Sequence, residues 1–131
     1  MNIPSVKDHP TLKDILGKWS GTIYGENGEK YHFQLELYQK SDTQDGYSIE
    51  GRSITAKLDE PTNSTIMKVR GKLSDGSFFF KELDRDIGSS WCAKAGTLEL
   101  LSSESLSGRW YGSETDYNCG SGKLIITKIQ N

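Results

Sequence analysis

The densest group of ionisable side chains is Glu82-Leu83-Asp84-Arg85-Asp86, whose carboxylates stand at alternate positions. In an extended strand they share one face, and alternating carboxylates of that kind can hold a divalent cation through oxygen ligands. The same pattern also fits a solvated strand end running into the loop at Ile87-Gly88-Ser89-Ser90. The chain has two histidines, His9 in a polar N-terminal stretch and His32 on the outward face of a strand. Neither offers a seat for a histidine-centred triad. There is no P-loop, dinucleotide fingerprint, zinc-helix motif or complete EF-hand loop. Two cysteines and two distant histidines make no recognisable metal-ligand spacing. The expectation is a protein that is not an enzyme, with no catalytic residue, metal or cofactor.

Cys92 and Cys119 pose a separate question. In an eight-strand meander the start of the sixth strand, the end of the seventh and the start of the eighth lie at one end, so the two thiols can meet there. A bridge would close a long loop and stabilise by about 2–4 kcal/mol; the alternative is two unrelated buried thiols. A bridge implies an oxidising compartment, periplasmic or secreted, with a leader removed. A complete chain reads as cytoplasmic, because residues 1–13 lack the apolar core of a secretory signal. No apolar run of about 18 residues is present, and a net charge of −2 with acids and bases interspersed gives no footprint for nucleic acid or anionic membrane. Asn63-Ser64-Thr65 is a glycosylation sequon, informative only in a eukaryotic secreted protein.

The elements that must position these residues follow from periodicity. A length of 131 residues supports one domain, and 34% apolar content with 14 glycines points to short strands joined by turns. Residues 1–10 form a polar tail. Pro10 to Leu16, with Thr11 as a cap, predicts a short helical turn. Thereafter the period is two: Trp19, Gly21 and Ile23 alternate with polar residues, as do Phe33, Leu35 and Leu37. Further strands are predicted at Tyr47 to Ile54, Ser64 to Leu73, Ser77 to Leu83, Trp91 to Leu101, Leu106 to Ser113 and Lys123 to Ile129. Asn27-Gly28, Asp45-Gly46 and Asp75-Gly76 mark turns. Connections this short exclude crossover helices, so the expected fold is all-β, an antiparallel up-and-down meander of about eight strands closed into a barrel.

Turn chemistry constrains two registers, the second of them open between a two-residue turn at Asp75-Gly76, taken here, and a three-residue loop Ser74-Asp75-Gly76 that sets Gly71 opposite Phe79 and pairs Lys68 with Glu82 on the outside. A three-residue loop, Glu26-Asn27-Gly28, sets Trp19 opposite Leu35 and Gly21 opposite Phe33, whereas a two-residue turn would set Trp19 opposite Glu36 and bury a charge. A two-residue turn at Asp75-Gly76 sets Leu73 opposite Phe78, Gly71 opposite Phe80 and Val69 opposite Glu82. That choice buries two phenylalanines and turns Glu82 inward, where it needs a donor such as Tyr31 or Tyr47.

Leu16-Gly17-Lys18-Trp19-Ser20-Gly21 and Leu106-Ser107-Gly108-Arg109-Trp110-Tyr111-Gly112 look alike, each with glycines two residues either side of a tryptophan. The expectation is that these glycines make room for an indole in a narrow interior. A short helical turn leading into Gly17-Lys18-Trp19 resembles the opening of lipocalins and, more loosely, of avidin-like barrels. The resemblance implies a calycin-type barrel. Lipocalins also carry a Thr-Asp-Tyr motif and a later arginine covering the first tryptophan. Here Thr115-Asp116-Tyr117 falls later than the lipocalin order, and no arginine follows it. The avidin likeness would imply biotin, but its extended set of ligand residues finds no match.

Two functions are expected from such a barrel. One is binding or sequestering a small molecule, with Trp19, Tyr31, Phe33, Tyr47, Ser53, Phe80, Glu82 and Trp110 lining the interior; the competing reading has these aromatics simply filling it. The other is a protein-interaction or accessory module with a filled core. Its contact surface, for a protein partner or a second copy, would be the outward Tyr24, Tyr38, Tyr111, Ile125 and Ile129 near the closure seam. Alternatively the N-terminal segment, with Ile3, Leu12, Ile15 and Leu16, folds back over those residues.

Overall fold

The computed structural model describes residues 12–26, 28–39, 49–74, 77–83, 92–102, 104–112 and 120–129. A four-residue helix, α1 (Leu12–Ile15), precedes β1 (Gly17–Gly25), β2 (Lys30–Gln39), β3 (Ile49–Lys57), β4 (Ser64–Ser74), β5 (Ser77–Leu83), β6 (Lys94–Ser102), β7 (Ser105–Gly112) and β8 (Ser121–Lys128). Each strand pairs antiparallel with the next, and β8 returns to β1, closing the barrel. Closure leaves no unpaired edge, which is how a chain of short strands avoids edge-to-edge association. Tyr47, Trp91, Thr11 and the polar tail lie outside the described residues.

Both hairpin registers follow from burial and turn chemistry. Trp19 pairs with Leu35 and Gly21 with Phe33. Gly28, with φ +86°, supplies the left-handed residue that this loop requires. On the other side Leu73 faces Phe78, Gly71 faces Phe80 and Val69 faces Glu82. A slip of one residue in either hairpin would exchange the buried and exposed faces of a whole strand.

At two of the four glycines beside the tryptophans, neighbouring backbone and not an indole is what a side chain would first meet. A Cβ on Gly21 would overlap the carbonyl oxygen of Ile125, and one on Gly108 that of Thr97. These positions answer to the close approach of neighbouring backbones in a strongly coiled barrel.

The interior is apolar over most of its depth. Trp19, Phe33, Leu35, Phe78, Leu98, Leu106, Leu124 and Ile126 are fully buried, and Phe33 and Phe80 sit with ring centroids 6.1 Å apart. At the α1 end Ile15 is buried against this core with Leu16 packed on it, so this part of the N-terminal segment closes the barrel and does not cover the outer seam. Trp19 Nε1 donates to the Ile15 carbonyl at 2.9 Å. Lys128 Nζ lies 5.4 Å from the centroid of the Trp19 ring and donates to the Asp14 carbonyl at 3.1 Å.

Candidate functional site

Strand alternation carries two charged side chains into the barrel at the end opposite α1. Glu82 is the last inward position of β5. Lys94 opens β6, and since Phe80 pairs with Gly96, the same parity puts Lys94 beside Glu82. Their side chains are 0% and 6% exposed respectively, and Lys94 Nζ lies 3.0 Å from Glu82 Oε1. The same Oε1 accepts the backbone N–H of Lys94 at 2.7 Å, and Ser53 Oγ donates to Oε2 at 2.5 Å. Lys94 Nζ also donates to Thr55 Oγ1 at 3.3 Å, and lies 5.8 Å from the centroid of the Phe33 ring.

Glu82 thus accepts three hydrogen bonds as a carboxylate, and the Lys94 ammonium meets an anion, a hydroxyl and an aromatic face. Such satisfaction is what allows an ion pair to persist out of water. Glu82, Lys94, Ser53 and Thr55 thus form a buried polar group beside the Phe33 and Phe80 rings, with Phe33 paired to Thr55 and Phe80 two residues before Glu82 on β5. Trp110 is buried at this end of the barrel, its Nε1 donating to the Tyr24 carbonyl at 2.8 Å.

The structure therefore gathers Phe33, Ser53, Phe80 and Glu82 around one polar layer. Trp110 is at the same end, whereas Trp19 belongs to the core near α1. Tyr31 packs partly buried against the core, and Tyr47 lies outside the described residues. Among the described residues Ser53 and Lys94 donate to Glu82. The cation-site reading of Glu82, Asp84 and Asp86 meets an obstacle in Lys94, whose ammonium already neutralises the one described carboxylate. Among the described residues no cluster of histidine, cysteine and carboxylate side chains is placed to hold a metal. His32 faces outward, with Nε2 3.5 Å from Ser20 Oγ.

Lys94 and Thr55 are absent from the sequence-based set. The signal for Lys94 lies in the sixth strand itself, where Gly96 and Leu98 inward imply Lys94 inward. The predicted third strand ends at Ile54, one residue short of Thr55.

On the outer wall Tyr38, Tyr111, Ile125 and Ile129 are exposed, and Tyr24 is partly buried with Lys30 Nζ 5.9 Å from its ring centroid. Register separates them: Ile125 lies between Thr22 and Ser107, Tyr111 between Ala95 and Ser121. Tyr111 borders a shallow trough of about 480 Å³ on this wall, with Thr97, Glu99, Arg109 and Ser121. On the far side Glu36 accepts hydrogen bonds from Arg52 Nε at 2.8 Å and Tyr38 Oη at 2.9 Å. The Arg52 bond holds the Glu36 carboxyl below its ordinary 4.5. Accepting the Tyr38 proton's hydrogen bond, Glu36 in turn raises the phenol.

Comparison with family models, curated proteins and solved structures gives no match, so the class is defined by geometry: an eight-stranded antiparallel meander barrel, closed, with a buried ion pair at the end opposite its helix.

Proposed function

We propose that the protein is a non-enzymatic barrel that binds or sequesters a small molecule at the end opposite α1, with Glu82, Lys94, Ser53 and Thr55 orienting the ligand over the rings of Phe33 and Phe80. The supporting observation is the buried Glu82–Lys94 pair. Desolvating two charges costs several kcal/mol per ion, and well-packed apolar residues in their place are often neutral or stabilising by about 1–4 kcal/mol. A barrel that is only a filled scaffold gains little from such a layer. A recognition site gains directional donors and acceptors at the mouth, the arrangement typical of small-molecule sites with a few polar groups on an apolar lining. The lipocalin-like opening at Gly17-Lys18-Trp19 agrees with this reading at the level of fold. Native mass spectrometry of freshly purified protein tests it: a retained small molecule is expected, lost from the Lys94→Met variant. A wild-type protein that flies only as the bare chain contradicts it.

The trough beside Tyr111 supports a second reading, an interaction module acting through its outer wall. Replacing Tyr111 with glutamate would then abolish self-association or partner capture without altering stability. We also infer that Cys92 pairs with Cys119. The reading is supported by the sequence, which has one cysteine besides Cys92, and by the meander, which brings the start of β6 and the start of β8 to one end; Cys119 itself lies outside the described residues. The intact mass before and after reduction checks this pairing.

A further inference from the structure

We infer, resting on the small-molecule reading, that the ligand is a small polar molecule of no net charge, offering both a hydrogen-bond donor and an acceptor, and that long-chain amphiphiles are not its ligands.

The charge argument comes from the ion pair. Glu82 and Lys94 cancel within 3.0 Å, in a layer whose other buried polar groups among the described residues, Ser53 and Thr55, are uncharged. A lone carboxylate or ammonium entering this layer would leave one charge uncompensated out of water, which is the costly case. Lys57 faces the same end from β3 but is partly exposed, so water and salt screen it. A neutral molecule incurs no such penalty. Ser53 Oγ gives its proton to Glu82 and keeps a lone pair, Thr55 Oγ1 accepts from Lys94 and keeps its proton, and the Lys94 ammonium has a third N–H, so the group keeps an acceptor beside donors. A ligand group with its own acceptor and donor side by side, such as a carboxamide or sulfonamide, matches that pairing.

Packing sets the size. Beside the polar layer stand the Phe33 and Phe80 rings, and Trp19, Leu35, Phe78 and Leu98 are fully buried in the same core. The chain's own side chains occupy the apolar interior that an acyl chain would need, so a ligand is confined to the mouth.

The test uses one fluorophore with three charges: uncharged dansylamide, anionic dansylglycine and cationic dansylcadaverine, with cis-parinaric acid as the long-chain probe, all titrated into the full chain at neutral pH. Dansylamide is expected to bind at least about tenfold more tightly than either charged dansyl probe, and cis-parinaric acid not to bind. The preference should then move with the site's charge, toward dansylglycine in Glu82→Gln and toward dansylcadaverine in Lys94→Met, while Tyr111→Ala leaves it unchanged. The wild-type comparison stands alone if either variant fails to fold. Tightest binding of a charged probe or of cis-parinaric acid overturns this inference and leaves the carrier reading intact. Binding of none of the four overturns both.

Discussion

Removing the Lys94 ammonium while keeping its volume, as in Lys94→Met, isolates the energetics of the buried pair. Cutting one partner from a buried ion pair costs about 3–5 kcal/mol, because the remaining charge stays out of water without compensation. Here the cost should fall near the lower bound, about 3 kcal/mol, since Oε1 keeps the Lys94 N–H at 2.7 Å and Oε2 keeps Ser53. Glu82→Gln should cost a similar amount by leaving the buried ammonium without a counter-charge. The double variant pairs a neutral amide with an apolar chain: its one carbonyl oxygen accepts the backbone N–H of position 94, and its NH2 donates to Ser53 Oγ, whose hydroxyl turns to accept. Its loss should fall short of the summed single losses by at least about 2 kcal/mol. Urea unfolding of the four proteins, read as midpoints at constant slope, supplies the cycle. A Lys94→Met loss under about 1 kcal/mol with additive singles would refute the argument, for the pair would then be solvated or absent.

Trp19→Ala should cost about 3–5 kcal/mol in the same assay, from lost burial, a cavity and the broken bond to Ile15. Gly28→Ala, forcing a Cβ into φ +86°, should cost about 1–2 kcal/mol, while Asp59→Ala on an exposed loop should change little. The depressed Glu36 carboxyl makes a signed pH prediction. Between its folded value and 4.5 the unfolded chain binds more protons, so its contribution is present above 4.5 and lost as pH falls through the folded value. The stability difference between wild type and Arg52→Ala should therefore exist at neutral pH and vanish at the acid end of a titrated unfolding series.

The barrel was readable because alternation and turn residues constrain each other. Burying Trp19 opposite Leu35 requires the three-residue loop, and stacking two phenylalanines inside requires the two-residue turn at Asp75-Gly76. The site was half readable for the same reason. The second register turned Glu82 inward, but β5 and β6 are joined by a connection too long for turn chemistry to fix their pairing, and the partner at Lys94 depends on that pairing. Lys128 reaches the Trp19 ring from the last strand, a contact that depends on barrel closure and not on any local motif.

The central claim is that a small molecule sits at the Glu82–Lys94 layer. It is tested most directly by two-dimensional amide NMR of freshly purified protein against the same protein unfolded, dialysed and refolded. The amides of Ser53, Thr55, Glu82 and Lys94 should shift on stripping, with the core at Leu35 and Leu98 little changed. Identical spectra, or shifts confined to Thr97, Arg109 and Tyr111 on the outer wall, would contradict it.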